Sequence, residues 1–335
     1  PLGDLPGSSE LSESGGISAD GSAAAGMSFS VNNTEAFRWV NGVMQGVGDV
    51  AGGPVYSHGF NISGDGSTVV GLSLDEVGSA AFRWKSGVMI DVLDDFPGFA
   101  TGVARACSHD GNVVVGLFNA EGLSRPFRWE SGVVPPINLP PGAVWGAAMS
   151  VSTDGATIVG TITYQPNPSI SEGFRWQGGE MTLLGDLPGG PFDSDATGVS
   201  ADGNIIVGMG HNAAGPTPFV WTAEAGMRSL PDVLQDDYNV SLGGWIMSAS
   251  AGVSAEGKTF AGTGTNPLGR QEAWIAHVGC ARSGDYNNDG DCDGDDIAGL
   301  VRCLVLGHGC ACGDFTSDSA VSIDDVDPFI ASVLD

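Results

Sequence analysis

Positive charge is scarce in this sequence. Twelve lysines and arginines face 40 aspartates and glutamates, giving a formal net charge of −28, and the lysines are Lys85 and Lys258 alone. Such a surface repels phosphate and anionic lipid and draws divalent cations, so nucleic acid is excluded as a partner. Long apolar runs are missing as well: none approaches the roughly 20 residues that a membrane-spanning helix needs, so no span is expected. Catalytic patterns are absent too. There is no nucleophile elbow, no phosphate loop and no histidine pair at metal spacing, and His58, His109, His211 and His277 share no repeat position. Glycine strings such as Gly262-Thr263-Gly264 fit turns better than a cofactor loop.

Cysteine is thin over most of the chain. Cys107 stands alone, while Cys280, Cys292, Cys303, Cys310 and Cys312 crowd the last 56 residues. Metal thiolates usually come as paired knuckles; here only Cys310 and Cys312 are close, among calcium-type acids. Disulfides in an oxidising compartment fit better, with a connectivity the spacing does not reveal. Pro1 begins in the middle of a repeat unit, which reads as a chain trimmed after export. An extracellular or cell-surface location is expected.

What is abundant is glycine, with 54 residues, beside 41% hydrophobic residues, enough for a packed core. The glycines belong to a repeat. Turns at Asp20-Gly21, Asp65-Gly66, Asp110-Gly111, Asp154-Gly155, Asp202-Gly203 and Glu256-Gly257 recur at intervals of about 45 residues, and the same register aligns Trp39, Trp84, Trp129, Trp176, Trp221 and Trp274. Each unit reads as four short strands; in the fifth these are residues 181–187, 196–200, 205–209 and 218–222. Asp-Gly is the signal of a two-residue type I′ hairpin, whose central positions both need positive φ. The pattern predicts an all-β fold, a six-bladed β-propeller of four-stranded repeats over residues 1–279, with a β-solenoid as the alternative. Residues 2–5 read as a lone strand that completes the last blade, ending at 272–278, and fastens the ring.

The units resemble the HAF-type extracellular repeat family, through Leu184-Gly185-Asp186-Leu187, through the stretch from Ser63-Gly64-Asp65-Gly66 to Val69-Val70-Gly71, and through Ala36-Phe37-Arg38-Trp39. The resemblance covers residues 1 to about 278 and implies secretion and a propeller-like fold without established catalytic residues. Repeat three departs at residues 91–98, and repeat six carries an insertion around 234–248. The third strand of each unit is small and apolar, so a channel lined by these strands would lack the paired carboxylates of a glycosidase. The loop before the second strand holds a large apolar residue in nearly every unit: Leu11, Tyr56, Phe99, Trp145, Phe192 and Trp245. These are candidates for an interface or a glycan-stacking rim, against the plainer reading of core between blades. Asn32, Asn61 and Asn239 begin N-x-[ST] triplets, which arise often by chance.

The character changes after Val278. Asp285, Asn287, Asp289, Asp291, Asp293 and Asp296 fall at loop positions 1, 3, 5, 7, 9 and 12 of an EF-hand, with Gly290 at the sharp turn. Alternate residues turn oxygens inward, and position 7 offers its backbone carbonyl. A second copy begins 29 residues later with Asp314, Thr316, Asp318, Ala320, Ser322 and Asp325, where hydroxyls replace two acids and Ser319 replaces the turn glycine. Ca2+ is the expected cofactor, held more weakly by the second loop. Residues 284–335 resemble a type I dockerin, and planctomycete-type surface proteins are similar to this variant; the insert from Cys303 to Cys312 departs from the cellulosomal linker. The resemblance implies docking onto a protein through a small α-helical, EF-hand/dockerin-like module at 280–335.

A non-catalytic extracellular structural or interaction protein is therefore expected: a propeller head with a calcium-ordered docking tail. Its partner is a protein, another copy of the chain included, and head-to-tail contacts of that kind build filaments. The alternative is a secreted carbohydrate-active enzyme, or a glycan-binding propeller, carrying a targeting dockerin.

Overall fold

A computed structural model of the chain describes residues 2–7, 11–31, 33–94, 101–120, 122–135, 137–164, 170–238, 240–278, 286, 294–306, 312, 313, 315 and 321–334. Strands β1 (Ser12–Ile17), β2 (Ala23–Ser30), β3 (Asn33–Val40) and β4 (Val43–Gly48) form a first antiparallel sheet. A second holds β5 (Ser57–Ile62), β6 (Thr68–Leu74), β7 (Ser79–Lys85) and β8 (Val88–Asp91). The third meander contains β9 (Thr101–Cys107), β10 (Val113–Ala120) and β11 (Leu123–Glu130). One parallel bridge, Ser124 to Trp145, joins it to the fourth, made of β12 (Ala143–Val151), β13 (Thr157–Tyr164), β14 (Ser171–Gln177) and β15 (Glu180–Leu183). The fifth sheet has β16 (Gly189–Val199), β17 (Ile206–Asn212), β18 (Gly215–Thr222) and β19 (Gly226–Ser229); the sixth has β20 (Ile246–Val253), β21 (Thr259–Thr265) and β22 (Gln271–His277).

Each meander packs on the next through its first strand: β1 on β5, β5 on β9, β9 on β12, β12 on β16 and β16 on β20. The first strands are therefore the inner ones, and the whole is a propeller-like succession of sheets. It is not closed into a ring, because the outer faces of the first and sixth meanders stay exposed. Leu2 to Leu5 form no strand, contrary to the expected fastening of the last sheet. Leu5 instead is buried on the first sheet, its amide donating to Ser28 Oγ at 3.0 Å.

The boundaries of the units also shift by one strand. The segment read as the first strand of a unit pairs outward with the preceding meander, as β15 does with β14 and β4 with β3. The two-residue hairpins make that pairing: Asn41 and Gly42 both have positive φ (51° and 84°), as do Ser86 and Gly87 (54° and 84°). These are the type I′ turns. At the Asp-Gly turns only the glycine is left-handed, as at Gly21 (φ 72°), and the Gly21 amide donates to the Ser18 carbonyl. Serine explains the longer turn, since Ser18 Oγ accepts the Ala23 amide at 2.9 Å and donates to Asp20.

The core repeats one device. A glycine of the second strand faces an aromatic ring of the third: Gly26–Phe37, Gly71–Phe82, Gly116–Phe127, Gly160–Phe174 and Gly208–Phe219. A Cβ on Gly116 would sit 2.9 Å from the Phe127 ring, so glycine makes the space the ring fills. In the sixth sheet the partner of Gly262 is Trp274, which therefore occupies the phenylalanine position, while Ala276 stands where the other sheets carry tryptophan. The expected alignment of Trp274 with the five tryptophans is corrected accordingly.

Helix α1 (Leu230–Asp236) is an addition to the repeat. Ser229 caps it, Arg228 pairs with Asp237, and Leu230, Val233 and Leu234 enter a core shared with Val207, Phe260 and Trp274. Two further helices, α2 (Ile297–Leu306) and α3 (Val326–Leu334), lie in the C-terminal region. No described helix is long and apolar enough to cross a membrane.

Candidate functional site

Every inner strand carries one extra residue at the same place. The register slips around Gly15, Phe60, Arg105, Met149, Thr197 and Ala251, each opposite the second-strand glycine. A bulge re-aims the side chain it contains, and bulges commonly border functional surfaces. The strands expected to line an axis, β2, β6, β10, β13, β17 and β21, are instead second in their sheets and largely buried. The inner surface belongs to the strand preceding each Asp-Gly turn.

Two groups of opposite sign result. Around the second and third sheets, the Arg105 guanidinium lies over the Phe60 ring at 4.9 Å, and His58 stacks beside that ring at 4.5 Å. Arg105 Nε is buried with no hydrogen-bond partner. Burial lowers the pKa of Arg105 and of His58, with Glu13 opposing the shift at His58 and Arg105 adding to it. Around the fourth and fifth sheets stand Glu172, Asp186, Asp193, Asp195 and His211. Burial raises the carboxyl pKa of Glu172, Asp186 and Asp195, although Thr161 donates to Asp195. His211 Nδ1 stands 3.4 Å from Asp193 Oδ2, close enough for an ion pair but without hydrogen-bond geometry. Among the described residues no three metal-ligating side chains converge. Sequence reasoning missed both groups, because the bulges at Phe60 and Arg105 leave no compositional mark and the acidic group gathers residues from separate segments.

A cleft of about 290 Å3 lies between Arg175, Asn204, Trp221 and Glu224. It falls at or below the size of ordinary ligand pockets, about 300 Å3 and upward.

In the C-terminal region Asp285, Asn287, Asp289, Asp291, Asp293, Asp314, Thr316, Asp318 and Ala320 lie outside the described residues. The ends of both loops are described. Asp296 is fully buried and its Oδ1 accepts the Tyr286 amide at 2.6 Å; Asp325, equally buried, accepts the Phe315 amide at 2.8 Å. The residue at loop position 2 thus donates to the carboxylate at position 12 in both copies. Ser322 and Asp325 form a capping box that starts the turn into α3. Tyr286 and Phe315 each stand in an edge-to-face arrangement with the buried Phe329, and Leu300 and Cys303 are buried as well. Cys303 and Cys312 are disulfide-bonded, whereas Cys107 is a buried free thiol.

The apolar loop residues divide. Leu11 and Phe192 are exposed, Tyr56 and Trp145 are half-buried, and Trp245 packs on the core beneath α1. Phe99 lies outside the described residues. The described ones stand just before an inner strand or among its first residues, at the end opposite the Asp-Gly turns.

No family model and no curated protein matches the chain. Similar solved structures include TolB from Acinetobacter baumannii, 15% identical over 65% of this chain with a TM-score of 0.45; the chain spans about half of that protein, 53%. The β-propeller domain of the trilobed protease from Pyrococcus furiosus is 11% identical over 84% of this chain and 83% of its own, with a TM-score of 0.48. The acylaminoacyl peptidase of Pyrococcus horikoshii is 11% identical over 80% of this chain and 44% of its own, with a TM-score of 0.45. At such scores the likeness carries no argument about activity, and the propeller-like description rests on the strand order and packing given above.

Proposed function

We propose that the chain is a non-catalytic extracellular interaction protein, a rigid body of repeated sheets joined to a calcium-ordered module that docks on a protein. The observation that carries the reading is the paired loop closure, in which Tyr286 donates to Asp296 and Phe315 to Asp325. Both carboxylates are buried and already oriented by a backbone amide, and the remaining loop positions offer only oxygen donors, which suits a hard cation. Asp285, Asn287, Asp289, Asp291 and Asp293 would hold Ca2+ with Asp296; Asp314, Thr316, Asp318, Ala320 and Ser322 would hold a second with Asp325. The ion cross-links its loop, and the folded loop presents α2 and α3 to a partner.

Calorimetric titration of the intact chain with Ca2+ tests this. Two binding events are expected, the tighter lost in Asp296→Ala and the weaker in Asp325→Ala, each with a loss of helical ellipticity. Absence of any calcium heat in the unmodified chain would defeat the proposal. The runner-up, a carbohydrate-active or glycan-binding protein, draws on the carboxylates around Asp195. Incubation with a polysaccharide panel is expected to release no reducing ends, and a glycan array to give no hits.

A further inference from the structure

The contact between neighbouring sheets is built the same way several times over. Turn amides donate forward to the next turn: Ala19 N–H to the Gly64 carbonyl (2.9 Å), His109 to Thr153 (3.0 Å), Thr153 to Ala201 (3.1 Å) and Ala201 to Ala255 (3.1 Å). Each turn glycine lies against the start of the second strand of the sheet before it, Gly66 on Ala23, Gly111 on Thr68, Gly155 on Val113 and Gly203 on Thr157. The residue after the core aromatic reaches that same turn, as when Arg38 Nε donates to the Gly66 carbonyl at 2.6 Å and Arg83 to Gly111 at 2.7 Å. Finally, the residue before the aromatic donates its amide to an inner-strand serine, Ala36 to Ser57 Oγ (2.9 Å) and Gly173 to Ser194 Oγ (3.1 Å).

Each half of this joint is left open at one end of the molecule. On the sixth sheet the Ala255 amide has no partner among the described residues. Ile275, at the arginine position, is 77% exposed, whereas Val220 at the same place in the fifth sheet is 9% exposed. Ala273 is exposed where Ala36 and Ala81 are fully buried. On the first sheet, among the described residues, the Ala19 carbonyl accepts no turn amide, and Ser12 Oγ, which donates to Gly3 as Ser57 does to Gly48, receives none. Ile17 is 66% exposed, against 3% for its equivalent Ile62, and it is the side chain nearest Gly21.

We propose that the open face of β22 receives the β1–β2 face of a second copy of this chain, so that copies join sheet on sheet, head to tail. The two faces match group for group: the Ala255 amide with the Ala19 carbonyl, Ala273 with Ser12, and Ile275 with Ile17 beside Gly21. An isoleucine pair replaces the arginine-to-carbonyl bond, and none of these six residues is charged in a chain of net charge −28. Both faces are exposed at once while the internal joints hold the succession of sheets, so the complement comes from outside the chain. The contact is heterologous and adds copies in one direction. It does not involve the calcium module.

Two variants that each add one cysteine to the six of the chain, Ile17→Cys and Ile275→Cys, are mixed in chelator and oxidised, with the unmodified chain as background. Disulfide-linked dimers are expected in the mixture beyond those in the unmodified chain or in either variant alone, and a ladder of linked oligomers in the double variant. Ile275→Glu, altering an exposed residue, is expected to abolish the higher-mass species in light scattering while the thermal midpoint is unchanged. A double variant that links only within one chain means the ends meet each other and overturns the proposal, as does the absence of any link. Assembly that vanishes in chelator also overturns it, and leaves the calcium-module reading standing.

Discussion

Each turn aspartate accepts hydrogen bonds that suit its ionised form. Asp110, Asp154 and Asp202 have pKa values lowered first by the serine two residues earlier and then by the amide two residues on. Asp20 is lowered to about 2, with the Ser22 amide the largest cause. A carboxyl whose pKa is depressed by folding contributes stability above its unfolded pKa, about 4, and loses it as pH falls through the folded value. The thermal midpoint is therefore expected to fall between pH 4 and pH 2, and Asp110→Ala with Asp154→Ala to flatten that fall. Asp91 works in the opposite direction. Burial pushes its carboxyl up to about 6, although it accepts the Leu93 amide, so folding loses stability as pH climbs from about 4 through 6. Asp91→Asn keeps an acceptor for Leu93 and is expected to raise the midpoint above pH 6 while leaving it unchanged near pH 4; an equal shift at both would contradict this assignment. Burial raises the Cys107 thiol to about 12, so it should resist alkylation until the chain unfolds, as mass spectrometry after iodoacetamide would show.

At the scale of elements, the repeated glycine–aromatic pair sets the energetics of each sheet. Phe127→Ala removes a fully buried ring facing Gly116 and is expected to cost about 3–5 kcal/mol, read from chemical denaturation. Trp274→Phe restores the residue found at that place in the other sheets but loses the bond from Nε1 to the Thr263 carbonyl and part of the ring packed on Gly262, so a smaller loss of about 1–3 kcal/mol is expected. The strands and turns of the repeat were legible because their glycines and aromatics are set by local geometry. The grouping of strands into sheets was not, since every unit offers two hairpins and composition alone does not say which turn ends a sheet. Asn41-Gly42 is as good a two-residue signal as the Asp-Gly turns, and regular spacing does not choose between them. Trp274 is a related case: its indole stands two residues before the tryptophan position, at the place of the core phenylalanine. The bulges at Phe60 and Arg105 and the helix at Leu230 answer to tertiary packing and leave no periodic trace. The loop closures at Asp296 and Asp325 sit at the positions the calcium spacing marks, whereas the acidic group around Asp195 assembles from three separate segments.

At the scale of the molecule, the proposed assembly draws on an acidic, repetitive body with an open face at each end of its succession of sheets. The two devices differ in what they need. The proposed sheet-on-sheet joint needs matching edges, whereas the proposed calcium module would order its helices on a divalent ion. Negative-stain electron microscopy of the intact chain, with millimolar calcium and again after chelation, tests the assembling role most directly. Strings of linked bodies are expected under both conditions, with contacts through the C-terminal module confined to the calcium sample. Isolated single bodies in both samples would contradict an assembling role.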